Sequence, residues 1–455
     1  MKLQKYISKL LDVLIAFVLL LFFASFGFRD GRTSGWYQQF IPNLNGQTIS
    51  DIFFLDSLTG WAVTGTNNGP GHINYIIKTT NGGDNWNIII TDTCFYSKIK
   101  FINSTSGFAS GGSGGGTAFF YKSTNGGMNW QKLVNTGAAE FEDMSVLNQD
   151  TIRVVDHDAL VGGAFLTTNG GLSWTRQFSG GTENPNKIYM FNARIGFICN
   201  NTNGSGIKKT TNGGNNWLVC VPSDVFKDIY FIDSLTGWRA YDNIKKTSDG
   251  GSNWVQQQLP QGINGQSILG GIRRISNMNR DTLWGSGAGV IFPNSQARGI
   301  LFRTTTGGDS WYYQIPDTTI HSGSYLNLQF LNKRIGWAYT SLTGIHTTTG
   351  GDTTFYMGIQ KISNEIPNNY ILHQNYPNPF NPRTVIGYEI KKNSFVRLDA
   401  YDILGKQVKV MVNEKQNAGK YEVDFMGKFA PSGIYFYRLT ADGKIIDTKK
   451  MMLIK

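Results

Sequence analysis

Hydrophobic and polar positions recur along this 455-residue chain as one short repeated phrase. "IFFLDSLTGWAV" from Ile52 is an apolar run, a polar turn and a second apolar run. It returns as "IKFINSTSGFAS", "IYMFNARIGFIC", "IYFIDSLTGWRA" and "LQFLNKRIGWAY", and more loosely as "MSVLNQDTIRVV" and "IRRISNMNRDTLWG". Apolar runs rich in aromatic and β-branched residues, parted by a short polar turn, predict a β-hairpin each time. An octet follows each hairpin: "TTNGGDNW" from Thr79, then "STNGGMNW", "TTNGGLSW", "TTNGGNNW" and "TSDGGSNW". Seven octets align, starting at Thr79, Ser123, Thr167, Thr210, Thr247, Thr304 and Thr347. Their closing tryptophans, Trp86, Trp130, Trp174, Trp217, Trp254 and Trp311, stand 44, 44, 43, 37 and 57 residues apart. A strand-only repeat in the forties has the length of a propeller blade. The expectation is an all-β chain with a seven-bladed β-propeller over residues 33–358.

Each part of the octet suits a tight corner between the third and fourth strands. The Asn or Asp at its third position (Asn81, Asn125, Asn169, Asn212 and Asp249) can accept backbone N–H groups within the turn. The two glycines permit positive φ, and the tryptophan covers the turn with apolar area. The sixth octet has Thr306 where Asn or Asp belongs, and the seventh, "TTTGGDTTF", also lacks its tryptophan. A replacement lies at the other end of the chain. "GWYQQFIP" at Gly35–Pro42 looks like the strands that follow other octets, "SWTRQF" and "NWVQQQ", yet has no octet of its own. Trp36–Phe40 is therefore expected to complete the last blade and close the ring, which removes two exposed sheet edges.

The octets resemble the Asp-box, S/T-x-D/N-x-G-x-x-W, of BNR-like and sialidase-like propellers. The two-motif repeat "DSLTGWAV" plus "KTTNGGDNW" is similar to the photosystem II assembly/stability factor-like family, over residues 36–357. The resemblance implies a fold; in these families the box lies at blade corners, away from catalytic centres.

Composition refines the picture. Residues 1–30 hold four Lys/Arg against two Asp, residues 366–455 fourteen against eight, and the long middle twenty-four against twenty-one. The formal charge of +11 thus sits mainly at the termini, and the repeat region carries no footprint for nucleic acid. Cys94, Cys199 and Cys220 have no CxxC spacing and no histidine cluster beside them, so they read as small buried residues, and neither a metal site nor a cofactor is expected. At the N-terminus, Lys2, Lys5 and Lys9 precede an apolar run, Val13–Phe23, with Ser25 and Gly27 as small residues at a cleavage site. Residues 1–27 read as a signal peptide, leaving no integral membrane segment after cleavage.

Beyond a polar stretch at 359–372, read as a linker, residues 373–455 change character. "NYPNPFNPRTVIGYEI", "VRLDAYDILGKQV", "NAGKYEVDF", "PSGIYFYRL" and "TKKMMLIK" follow in order. This succession is similar to the C-terminal sorting domain of the bacterial type IX secretion system, with Pro377, Pro379, Gly405, Gly419, Gly433, Tyr435 and Lys450 at the matching positions. The resemblance implies a small Ig-like β-sandwich, the type IX secretion machinery as partner, and delivery via the periplasm to the cell surface or the medium.

Catalytic constellations were sought and are thin. Sialidase-like enzymes share an Arg-Ile-Pro segment and an arginine triad; no Arg-Ile-Pro occurs, and Arg153, Arg194, Arg239, Arg273, Arg274 and Arg303 are scattered. A glycosidase needs two placed carboxylates. The candidates, "EFED" at Glu140–Asp143 and "DHD" at Asp156–Asp158, read as solvated loops at a blade edge. His72, His157, His321, His346 and His373 have no triad context, and "GGSGGG" at Gly111–Gly116 reads as a flexible connection rather than a phosphate loop. A basic residue precedes five octets (Lys78, Lys122, Lys209, Lys246, Arg303), with Leu166 and His346 breaking the series. Its stem is expected to pack over the neighbouring box tryptophan. The sequence points to an exported, non-catalytic binding or scaffold module with a protein or glycan ligand on the ring face; the alternative is a secreted glycoside hydrolase of Asp-box type.

Overall fold

A computed structural model describes residues 35–454 apart from 66–72, 114–115, 136, 157, 159–161, 180–184, 201–205, 263–265, 317–322, 352–359, 364 and 428–429. The apolar N-terminus, His157, His321, Thr354 and Phe355 therefore lie outside the described residues. Among those described, every regular element is a β-strand.

Seven antiparallel sheets follow one another between Trp36 and Thr347. Sheet 1 consists of Ile49–Phe54, Gly60–Thr64, Asn74–Thr79 and Asn87–Asp92; sheet 2 of Phe95–Phe101, Gly107–Gly112, Ala118–Ser123 and Gln131–Asn135. Sheets 3, 4 and 5 repeat the plan from Asp143–Val146, Lys187–Met190 and Asp228–Phe231. Sheet 6, in the longest repeat, has five strands: Ser267–Leu269 and Arg274–Asn277 both pair with the long strand Leu283–Ile291. In sheet 7, Asn327–Phe330, Gly336–Tyr339 and Thr343–Thr347 are joined by Trp36–Phe40 from the start of the chain, with Trp36 opposite Thr347. Trp36 is buried, its indole edge-on to Trp284 and Phe330 and its Nε1 donating to Gln314 Oε1 at 2.8 Å.

The hairpin phrase owes its glycine to packing. A Cβ on Gly60 would lie 2.4 Å from the Phe54 ring, which folds back over the turn while Asp56 Oδ1 accepts the N–H groups of Leu58 and Thr59. That ring, and its counterpart in other sheets, then meets the preceding sheet. Trp61 stacks on Phe101, Phe197 on Phe231, Trp284 on Phe330, and Trp337 of sheet 7 on Phe54 of sheet 1 at 3.8 Å between centroids. The core of the ring is accordingly a series of clusters, most of them lying between neighbouring sheets.

Two further sheets make up the tail. One orders Gln360–Ser363, Gly419–Met426, Arg383–Ile390 and Ile371–Leu372; the other Gln407–Gln416, Ser394–Tyr401, Gly433–Ala441 and Lys444–Leu453. A single apolar cluster joins them, including Ile386, Tyr388, Leu398, Tyr437 and Leu439, and it shares no residue with the ring's clusters. The stretch read as a polar linker thus supplies two short strands to the tail: Gln360–Ser363 pairs with Gly419–Met426, and Ile371 and Leu372 pair with Glu389 and Tyr388 respectively.

Candidate functional site

The octets are corners, as their chemistry required. Thr79 Oγ1 accepts the Gly83 N–H at 2.9 Å, and Asn81 Oδ1 accepts the Asn85 N–H at 2.9 Å. The same pair of bonds recurs at Ser123/Asn125, Thr167/Asn169, Thr210/Asn212 and Thr247/Asp249. Gly82 and Gly83 take φ of 73° and 93°, a region that side chains disfavour. At the sixth octet the Thr306 hydroxyl accepts the Ser310 N–H at 2.9 Å, so threonine performs the missing asparagine's task. Trp86, Trp217 and Trp311 are buried and Trp130, Trp174 and Trp254 half-buried.

Two of the basic residues before the octets, Lys78 and Lys209, are clips between sheets. Lys78 Nζ donates to Gly126 O of the next octet at 2.8 Å, and Lys209 Nζ to Gly250 O at 2.5 Å. The cationic ends of four of these residues lie over the aromatic of their own second strand: Lys78 over Trp61, Lys209 over Phe197, Lys246 over Trp238 and Arg303 over Trp284. Where Leu166 breaks the series, Arg153 stands opposite it in the adjacent strand and donates to Gly213 O at 2.7 Å. At the seam between sheets 7 and 1, Trp337 Nε1 and Gln39 Nε2 capture Gly82 O at 2.8 and 2.6 Å.

Three sequence readings are corrected. Asp143 of "EFED" is no edge loop: Phe141 is fully buried and Asp143 opens the innermost strand of sheet 3. Asp156 of "DHD" is likewise buried, accepting the N–H groups of Ala139, Glu140 and Asp158; burial raises its pKa while those bonds oppose the rise. Gly111 and Gly112 of "GGSGGG" are strand residues paired with Phe95–Phe101, and glycine is needed at 111 because a Cβ there would lie 1.9 Å from Phe95 O.

The innermost strands line a central cavity of about 490 Å³. Register with the second strands puts seven residues at one level: Asp51, Lys98, Asp143, Lys187, Asp228, Arg274 and Asn327. Their charges alternate around the ring and cancel, with the neutral Asn327 at the seam. The next level is Ile52, Ile99, Met144, Ile188, Ile229, Ile275 and Leu328, and a third is Phe53, Lys100, Ser145, Tyr189, Tyr230, Ser276 and Gln329.

The alternation has a structural cause. Each acid accepts a backbone N–H from the following sheet: Asp51 from Ile99 (3.1 Å), Asp143 from Ile188 (3.1 Å) and Asp228 from Ile275 (2.8 Å). A base then stands between acids. Lys98 Nζ lies 3.3 Å from Asp51 and 3.9 Å from Asp143, and Arg274 donates to the carbonyls of Leu326 and Lys227. Burial lowers the pKa of Lys187 and raises that of Asp228, against the pull of their opposite-charge neighbours Asp143 and Arg274. Sheets are stapled again at the third level. Ser145 accepts Met190 N–H, Ser276 accepts Phe330 N–H, Tyr189 bonds both backbone groups of Phe231, and Gln329 both of Phe54. Burial pushes the Tyr189 phenol up to about 12. This ring of channel residues escaped the sequence reading, although the residue before each hairpin phrase shows Asp, Lys, Asp, Lys, Asp in the first five repeats and Asn in the seventh; the looser sixth phrase hides Arg274 within it.

Cys94, Cys199 and Cys220 are unbridged, burial pushing the Cys199 thiol up to about 12. Among the described residues no cluster of three metal-ligating side chains occurs, and no helix is long and apolar enough to cross a membrane. In the tail, Pro377 and Pro379 follow cis peptide bonds, Gly405 sits in a positive-φ turn, and Gly419 and Gly433 open strands. Tyr435 donates to Pro431 O, and Lys450 is exposed.

With this geometry the chain can be compared with known proteins. Residues 374–455 match the secretion system C-terminal sorting domain, which marks proteins carried by the type IX system to the cell surface or medium. No curated protein matches the chain. Among solved structures, YCF48 bound to D1 peptide is similar over 70% of this chain and 98% of its own, with TM-score 0.52 and 16% identity. The GH74 enzyme of Niastella koreensis covers 75% of this chain and 70% of its own (TM-score 0.38, 12% identity). The GH93 alpha-L-arabinofuranosidase of Fusarium graminearum in complex with arabinobiose covers 70% and 98% (TM-score 0.37, 11% identity). The ring is a β-propeller, and the protein is a type IX secretion cargo.

Proposed function

We propose that residues 33–358 form a closed seven-bladed propeller of Asp-box type, allied to the photosystem II assembly/stability factor-like architecture. Trp36 completes its last blade. It works outside the cell as a non-catalytic binding or scaffold module, reaching the periplasm by the N-terminal signal and leaving through the Ig-like tail domain. The observation that carries this reading is the use of the channel acids. Asp51, Asp143 and Asp228 each hold a neighbouring sheet through a backbone N–H, with cations between them. Carboxylates so bonded and neutralised are poor general acids and bases. The propeller of YCF48 bound to D1 peptide gives a precedent for a peptide on such a ring.

Hydrolysis is the second reading, and one feature favours it. Asp51 and Asp143 flank Lys98 within the channel, a proximity that glycosidase carboxylates also show. To separate the two, the purified full chain is applied to glycan and peptide arrays, and the ligands are then examined by mass spectrometry. Retention of intact ligand is expected; cleaved product that disappears in Asp143→Asn would establish the hydrolase instead.

A further inference from the structure

We propose that the channel binds a small singly charged carboxylate, with Lys100 as its charge partner and Tyr230 as the facing wall. This deepens the binding reading above and rests on it.

The charged level of the channel is self-neutralising, three acids against three bases. The level holding Lys100 is not. There, Ser145, Tyr189, Ser276 and Gln329 are tied to the backbone of the next sheet, and Phe53 lies under the Lys100 ammonium at 4.7 Å. Lys100 and Tyr230 remain. They stand on sheets 2 and 5, on opposite sides of the opening. Among the described residues Lys100 has no hydrogen bond or ion pair; Asp51 and Asp228 act on it only at longer range. Its side chain keeps water-accessible surface although protein surrounds it, as a water-filled channel allows. The protein packed around the channel lowers its pKa, although the side chain itself is exposed to the channel's water.

An unpaired cation on the wall of a cavity attracts an anion. Two features select its kind. The cavity, about 490 Å³, has the size of small-molecule sites. Lys98 also acts on Lys100 but is paired with Asp51, so Lys100 is the one ammonium of this pair free to compensate a single negative charge; with Asp228 nearby to repel a second, a carboxylate is favoured over a phosphate dianion. The exposed Tyr230 ring offers an apolar face to the rest of the molecule.

The test is titration calorimetry of the purified full chain with sodium glucuronate and sodium benzoate. Glucose and benzyl alcohol serve as neutral counterparts, and inorganic phosphate as a dianion, all at equal ionic strength. At least one carboxylate should bind roughly tenfold or more tightly than its neutral counterpart and than phosphate, the size of one charge-assisted hydrogen bond. Lys100→Met should lose that preference without lowering thermal stability, and Lys100→Arg should keep it. Equal binding of acid and neutral forms, tighter binding of phosphate, no binding of either carboxylate, or an unchanged Lys100→Met would each overturn the proposal. Array ligands retained equally by Lys100→Met would leave the broader binding reading standing while removing this site. Calorimetric binding with blank arrays would do the reverse.

Discussion

The ring and the tail are both built of antiparallel sheets, yet they solve the problem of a core in opposite ways. The tail buries one continuous cluster between two sheets, with Tyr437 tying Asn375 N–H and His373 O at its edge. The ring divides its core among the contacts between sheets and reinforces each with polar bonds: octet clips further out, channel staples within. A sandwich can therefore fold around its own centre, whereas a ring is finished only when its last sheet meets its first. The difference locates the weak point of the ring at the seam, and the source of its channel polarity in the need to fasten neighbours.

The sharpest break of the comparison is removal of the tail. Deleting residues 359–455 should abolish appearance of the protein outside the cell while leaving a folded ring in the periplasm, since the two parts share no core cluster. Fractionation with circular dichroism of the retained protein checks both halves; normal export of the truncation would refute the sorting role.

Next is the seam. Trp36→Ala should cost the ring about 3–5 kcal/mol, typical of a buried large aromatic, and leave the tail's unfolding transition where it was. Tyr37→Ala, a half-buried neighbour on the other face of the strand, should cost less. Calorimetric scans of the full chain read both transitions; an unshifted ring transition in Trp36→Ala would mean that the strand is an accessory.

What could be read from the sequence follows the same division. Octets and hairpins were legible because a corner such as Thr79–Asn81–Gly83 is settled within a few residues, and repetition displays it. The tail was legible because its motifs run in a fixed order. The channel was not, since Asp51 meets Ile99 and Gln329 meets Phe54 across whole repeats. No single residue type is kept at the charged level from one repeat to the next; only the order of sheets around the ring turns D, K, D, K, D, R, N into an alternation. Thr306 read as a departure from the octet for a related reason: a hydroxyl accepts the same N–H as an amide oxygen, so the corner persisted where the letter changed.

A smaller effect separates ring from tail by pH. Burial opposes ionisation of Asp224, but hydrogen bonds and charge from Arg239 and Lys245 outweigh it and hold the pKa down at about 2. A depressed carboxylate contributes stability that is complete above its unfolded value, near 3.8, and lost as pH falls through about 2. The half-exposed site keeps the contribution modest. Between pH 4 and 2 the ring of the parent protein should lose more thermal stability than that of Asp224→Asn; equal losses would exclude this ion pair as the cause.

The claim that channel acids fasten sheets can be tested at a single amide. Residue-resolved hydrogen exchange of the full chain is compared with that of Asp143→Ala. A staple from Asp143 to Ile188 means that protection of the Ile188 amide falls sharply in the variant, while the Ile99 and Ile275 amides, held by Asp51 and Asp228, keep theirs. An Ile188 amide as protected in Asp143→Ala as in the parent would contradict the claim and return Asp143 to the list of candidate catalysts.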